Sequence, residues 1–374
     1  MIQRMAREFS LSQVLPAANE LDPQKGLIPL TLRKQMADLG FFGILIPEEF
    51  GGLGLGVFEY ALVTEELSRG WMSAASLIAR GNGLGGGFSE EQRRRYLPRQ
   101  ARGEFLGAFA LSEPDAGSDV ANIACRAEKT ASGWRIHGTK TWCTFADQAD
   151  YIVLFARTSP PQPGRRHTGL TTFFFEKDAG GFPPGITGVP INKIGYFGWQ
   201  TWQIHFDGFD LPEDSVLGSV GRGFYNAMVG LETGRVHTAA RAIGLARGAL
   251  EDSVAYSQNR MQFGKAIADF QATRFKLAEM AAEIEAARQL MYYVADEVDS
   301  GRRCDKEASM AKWFASEMAE RVTSQGLQIH GGYGYTSDLP LERYWRDARL
   351  TKIFEGTSEI QLKVISDRLL DPNP

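Results

Sequence analysis

Cysteine is scarce in this chain. Its 374 residues include three, Cys125, Cys143 and Cys304, and none falls in a CxxC pair. An odd number without paired spacing argues against a disulfide framework or a structural zinc site, and no metal is expected. Reduced thiols fit a cytoplasmic setting, and a bacterial source is expected. Long apolar runs are also missing. No stretch approaches the roughly 18 uninterrupted apolar residues of a membrane span. The opening MIQRMAREFSLSQ has no apolar core of a signal peptide. Nor is there an excess of one charge: 41 Lys and Arg against 45 Asp and Glu give 41 − 45 = −4. That balance argues against nucleic-acid binding by counterion release and against polybasic membrane attachment.

What is present is a globular composition, 43% hydrophobic with a mean hydropathy of −0.24. Glycine is in excess: 41 residues, about 11% against the usual ~7%. The chain reads as three sections, 1–107, 108–219 and 220–374. In the first, Leu32–Leu39 is periodic between a Thr31 cap and a Gly40 stop, Val57–Arg69 forms a second helix, and Ser89 with Gln92 makes a capping box. In the second, Trp134–His137, Ile152–Ala156, Thr171–Phe175 and the alternating Trp202–Asp207 read as strands of an antiparallel β domain. In the third, long periodic stretches over 228–258, 270–299 (capped by Asp269) and 305–328 predict a helical bundle. The fold class is α+β, in the order helices, β-barrel or sandwich, four-helix bundle.

Four motifs carry chemistry. Gly81-x-Gly83-x-x-Gly86 matches a dinucleotide fingerprint as a string, without the strand and helix that site requires. Leu111–Asp119 (LSEPDAGSD) is either an ordinary polar turn or a cradle of backbone N–H groups. Lys140–Thr144 (KTWCT) offers Trp142 as core or as a flat wall for a planar ring, with Thr144 at its edge. In Ile353–Gln361 (IFEGTSEIQ), Glu355 after two apolar residues suits a general base, and Gly356 allows close approach of another group. The plainer alternative is an acid at a helix start.

Together with Arg260–Lys265, Gln271, QIHGGYGY (Gln328–Tyr335) and RDAR (Arg346–Arg349), these segments resemble the acyl-CoA dehydrogenase family, in order and over nearly the whole chain. The resemblance implies FAD, an electron-transfer flavoprotein as electron acceptor, and a homotetramer built as a dimer of dimers. It implies that Phe109, Leu111, Ser112, Gly117, Ser118, Trp142 and Thr144 lie along the flavin. Arg260, Phe263, Gln271, Gln328 and Gly332 would reach the FAD of a neighbouring subunit, and Thr357 and Glu359 its adenine half. Glu355 matches the catalytic base, which takes a proton from Cα of an acyl-CoA while a hydride leaves Cβ for flavin N5, giving a trans-2-enoyl-CoA. Ser118, Gly356, Glu232 (at the CoA arm) and Arg235 match substrate contacts. Arg235 could instead form an ion pair with Glu355 or Glu232. Some relatives carry the base at the position of Gly234, which cannot serve here.

Ser68–Trp71, Ser76–Arg80 and Gly301–Asp305 look like the methylsuccinyl-CoA or benzylsuccinyl-CoA dehydrogenase branch, which points to a branched or dicarboxylic, succinyl-type substrate. Arg80 could pair with a distal carboxylate; a surface or flavin-side ion pair is the plainer reading. His237 and Arg241 are further polar candidates on the long helix. The segment Gly81–Ser89 is shorter than the family pattern, which bears on pocket depth. A flavin oxidase or monooxygenase, or a non-catalytic flavin scaffold, is the alternative on the same fold.

Overall fold

The computed structural model describes residues 1–82, 87–228 and 230–371. Seven helices come first: α1 (Ile2–Phe9), α2 (Leu15–Leu21), α3 (Leu30–Asp38), α4 (Val57–Gly70), α5 (Met72–Leu77), α6 (Ala79–Asn82) and α7 (Glu90–Ala101). Helix α3 begins earlier than expected, with Pro29 rather than Thr31 at the cap, and Gly40 follows in the left-handed conformation. The capping box at Ser89 is formed: the Ser89 hydroxyl accepts from Gln92 N–H, and Gln92 Oε1 accepts from Ser89 N–H.

The middle section is one curled seven-stranded sheet: β1 (Gly107–Ala110), β2 (Arg126–Lys129), β3 (Gly133–Thr144), β4 (Tyr151–Arg157), β5 (Leu170–Glu176), β6 (Ile186–Pro190) and β7 (Thr201–Pro212). Strands β2, β3, β7 and β6 form an antiparallel ladder, and β5 pairs antiparallel with β4. Strand β1, however, runs parallel to β4. Strand β4 is buried along nearly its whole length, as its continuous apolar run requires.

Helix α8 (Gly223–Met228) leads into α9 (Leu231–Asn259). The helix expected from residue 228 starts later because Gly230, at φ +75°, caps α9. A small hairpin, β8 (Met261–Gln262) and β9 (Lys265–Ala266), precedes α10 (Gln271–Asp299), which is capped by Phe270 rather than Asp269. Then come α11 (Asp305–His330), α12 (Leu341–Thr351) and α13 (Ser358–Leu370).

One apolar core runs through all three sections, from Ala6 and Trp71 through Ile152 and Phe206 to Val236 and Tyr344. Helix α4 packs so closely on α9 that a Cβ at Gly244 would lie 2.4 Å from the Glu65 carbonyl oxygen. Buried ion pairs fix that contact: Arg247 of α9 meets Glu65 and Glu66 of α4, and Arg69 of α4 meets Asp252 of α9 at 2.7 Å. No helix among the described residues is long and apolar enough to cross a membrane.

Candidate active site

Two motifs meet at the edge of the sheet. Lys140 Nζ, fully buried, donates to the Leu111 carbonyl (2.9 Å) and to Glu113 Oε1 (2.7 Å). Glu113 in turn accepts from the N–H groups of Ala124 and Cys125, and Thr141 N–H donates to Ser112 O. The Pro-Asp-Ala-Gly turn is thereby tied to β3. Beside it the β3–β7 register slips between Lys140 and Cys143. This irregularity puts Trp142 at φ +59° and turns its side chain outward, 61% exposed. Phe109 is also exposed, between buried Ala108 and Ala110. Thr144 Oγ1 sits 3.0 Å from Thr201 Oγ1. An outward indole on β3 and an outward phenyl ring on β1, with hydroxyls and backbone donors nearby, fit a planar ring system. Gly117 and Ser118 are exposed in the adjoining turn, and a Cβ at Gly117 would meet nothing within 4 Å, so close packing is not the reason for glycine there.

The dinucleotide string is a false lead. Gly81 lies in α6, where a Cβ would come within 2.8 Å of the Phe42 carbonyl, so this glycine serves packing. Gly83 and Gly86 lie outside the described residues.

Glu355 occupies the turn between α12 and α13, in the left-handed region at φ 54°, followed by Gly356 at φ 89°. Two adjacent left-handed residues, one of them not glycine, are costly and must be held by their surroundings. Lys312, buried on α11, donates to the Gly356 carbonyl (2.6 Å), as does Gln361 Nε2 (3.0 Å). Thr357 caps α13 through Ile360 N–H, and Glu359 is exposed in its first turn. The Glu355 carboxylate is gripped on one side: Oε1 accepts from Arg241 Nη2 and Oε2 from Thr238 Oγ1, each at 2.6 Å. Yet 41% of its side chain is open, whereas Arg241 is 1% exposed. Glu355 therefore presents one side outward with Arg241 buried behind it. His237, one turn before Arg241, stacks on Tyr60 (5.0 Å) and places Nε2 3.1 Å from the Ala75 carbonyl. Burial and the charge of Arg241 push its pKa down to about 3, so it is neutral.

Burial opposes the charge on Glu355, but Arg241 and the Thr238 hydroxyl outweigh it and hold the carboxyl at about 2. A carboxyl lowered in the folded state contributes stability that is complete above its ordinary value of 4.5 and disappears as pH falls toward about 2. The difference in unfolding free energy between wild type and Glu355→Gln should therefore shrink between about pH 6 and pH 3. Urea titrations at the two pH values measure it, and an unchanged difference would contradict the ion pair.

Arg235 does not reach Glu355 or Glu232. It is buried and donates to the Asp305 carbonyl (3.1 Å), joining the starts of α9 and α11, while Glu232 sits half-buried in the first turn of α9. The alternative reading of Arg235, an ion pair with Glu355 or Glu232, is not formed, and the partner of Glu355 is Arg241. Sequence reasoning had noted Arg241 only as a polar candidate and had missed Thr238 and Lys312. Helical phase was the available signal: Gly234, Thr238 and Arg241 stand at i, i+4 and i+7 on one face. Arg80, in α6, lies over the Trp199 ring (5.3 Å), and its Nε is buried without a hydrogen-bond partner. No carboxylate pairs with it among the described residues.

A second group of candidates lies on the C-terminal helices. Arg260 and Gly332 line a cavity of about 480 Å³ with Tyr256, His330 and Tyr333. Phe263, 93% exposed, Gln271 at the start of α10 and Gln328 on α11 are outside that lining, all facing solvent. None of these five hydrogen-bonds or stacks with Phe109, Ser112 or Trp142. Among the described residues no group of three His, Cys, Asp or Glu side chains is placed to hold a metal ion.

Comparison with known proteins accounts for this arrangement. Family models match in order: acyl-CoA dehydrogenase N-terminal domain over residues 1–104, middle domain over 108–209 and C-terminal domain over 221–370. The chain is 43% identical to (2S)-methylsuccinyl-CoA dehydrogenase of Cereibacter sphaeroides, covering 99% of this chain and 69% of that one. Among solved structures it superposes on butyryl-CoA dehydrogenase from Megasphaera elsdenii with a TM-score of 0.92 at 35% identity, covering 99% and 97% of the two chains. It also superposes on a chain from work on the electron transferring flavoprotein of Acidaminococcus fermentans, with a TM-score of 0.93 at 38% identity, covering 99% and 97%. Other solved neighbours are complexes with FAD or FADH2. The chain belongs to the acyl-CoA dehydrogenase family and is an FAD-dependent oxidoreductase.

Proposed function

We propose that this protein oxidises an acyl-CoA thioester between Cα and Cβ to a trans-2-enoyl-CoA, with Glu355 as the base that takes the Cα proton. One observation carries the reading: Glu355 is held in a strained left-handed turn with its carboxylate paired to Arg241 on one side and open on the other. Such strain persists where a carboxylate must be aimed at one point. FAD, when bound, supplies the acceptor for the hydride that leaves Cβ. Phe109, Trp142 and Thr144 would flank its ring, and Leu111, Ser112, Gly117 and Ser118 would line its edge. Arg260, Phe263, Gln271, Gln328 and Gly332 would serve the cofactor of a second copy, with Thr357 and Glu359 near the adenine half. That none of them hydrogen-bonds or stacks with Trp142 within one chain supports an oligomer, read here as a homotetramer. The Glu355 backbone N–H would hold the thioester carbonyl and acidify the Cα–H, and Gly356 leaves the approach to that point open. Glu232 would meet the CoA arm. Arg235 acts on the substrate indirectly, by fixing the start of α9. Electrons would pass to an electron-transfer flavoprotein, in keeping with the context of one structural neighbour.

The substrate reading is a short dicarboxylic, succinyl-type acyl chain. Arg80 supports it, as a cation stacked on Trp199 with an unpartnered Nε. So does the likeness to a methylsuccinyl-CoA dehydrogenase. Arg80→Ala is expected to raise KM for methylsuccinyl-CoA about tenfold or more, while changing KM for butyryl-CoA less than about twofold, the loss of one charged hydrogen bond. Steady-state kinetics with both thioesters measures this, and equal effects would refute the dicarboxylate reading.

A further inference from the structure

We propose that Arg241 makes release of the base conditional on the substrate: it holds Glu355 in the ligand-free protein and gives it up to the distal carboxylate of the acyl chain. The proposal rests on Glu355 being the base.

The geometry around Arg241 leads there. Its guanidinium is buried, and its other partners are neutral: Ser76 Oγ at 2.9 Å, Thr238 Oγ1 at 2.9 Å and the His237 carbonyl at 3.4 Å. One face lies over the Phe354 ring, 4.6 Å away. Among the described residues Glu355 is its only carboxylate partner. A buried guanidinium left without an anion is strongly disfavoured. Glu355 is also a poor base while this pair stands, because the pairing stabilises its ionised form. Proton abstraction at Cα therefore requires the carboxylate to leave Arg241, and departure requires a replacement anion.

The surroundings of Glu355 supply none. Facing it are Tyr60 from α4, Tyr196 from the loop before β7, Thr238, His237 and Arg241 from α9, and Lys312 from α11. Arg80 from α6 acts on the same Tyr60, Tyr196 and His237. Arg235 and Glu317 act on Lys312 as well, so the cluster holds three arginines, a lysine and two carboxylates, leaving it short of negative charge. A substrate with a distal carboxylate brings the missing anion to Arg80 and Arg241 together, and Glu355 is freed toward Cα. A plain acyl chain fills the site without freeing the base. Selectivity for an anionic chain then appears in kcat as well as in KM, and Arg241 acts as a positioning residue.

The test uses FAD-loaded protein with methylsuccinyl-CoA and butyryl-CoA. Arg241→Gln should raise kcat for butyryl-CoA at least tenfold and move the acid limb of its kcat profile up by at least one pH unit. It should also raise KM for methylsuccinyl-CoA at least tenfold. Arg241→Lys, which keeps the charge, should hold the acid limb near its wild-type position. Parallel losses on both substrates with an unmoved limb would overturn the proposal. If Arg241→Gln does not fold, wild-type profiles decide: the kcat limb must lie at least one unit higher for methylsuccinyl-CoA than for butyryl-CoA, and coincident limbs overturn the proposal. Full activity in Glu355→Gln would instead overturn the base assignment, whatever Arg241 does.

Discussion

Glu355→Gln should lower kcat by about 10²- to 10⁴-fold, the range for removing a positioned general base. FAD content should stay within about threefold and KM should not rise by more than that, because the amide keeps the shape of the side chain and FAD binding is assigned to other residues. Glutamine can still accept a hydrogen bond from Arg241 or Thr238, so the turn at φ 54° should survive. Steady-state rates with the preferred thioester, together with flavin content by absorbance, measure both. A variant that loses FAD in proportion to its activity would assign Glu355 a structural role.

The second large effect concerns stability. Lys140 is fully buried and Glu113 nearly so, and together they fasten the Pro-Asp-Ala-Gly turn to β3. Removing one partner strands the other charge in the core, at a cost of about 3–5 kcal/mol. Lys140→Met should therefore lower the unfolding free energy by roughly that amount, while Lys140→Met with Glu113→Leu should recover part of it. The single variant should also weaken FAD binding, since Trp142 and Ser112 lose their common anchor. Denaturant unfolding at fixed protein concentration, with and without added FAD, separates the two effects. A loss below about 1 kcal/mol would mean that the pair is solvated.

Much of this could be read from the chain. The runs that became β4, β5 and β7 carry the β-branched and aromatic residues of strands, and the long helices α9, α10 and α11 follow from their apolar period. The aromatic wall was visible in part, as a tryptophan among small polar residues. Its exposure depends on a slip in the β3–β7 register, which no local pattern encodes. The parallel pairing of β1 with β4 is likewise a matter of topology. The partner of Glu355 was missed because it lies 114 positions away on another helix, and because Arg235 drew attention through family likeness. Arg235 is turned about 100° from Gly234 around the helix, whereas Thr238 and Arg241 share the face of Gly234. Lys312 gave no sequence signal at all: a buried lysine holding a carbonyl looks like any surface lysine until α11 is packed.

Anaerobic addition of stoichiometric methylsuccinyl-CoA or butyryl-CoA to the FAD-loaded protein, followed by flavin absorbance, tests the central claim most directly. The account predicts prompt bleaching by methylsuccinyl-CoA, slower bleaching by butyryl-CoA, a 2-enoyl-CoA product, and bleaching slowed by about 10²- to 10⁴-fold in Glu355→Gln. Flavin that stays oxidised with both thioesters, or that bleaches equally fast without Glu355, would contradict it.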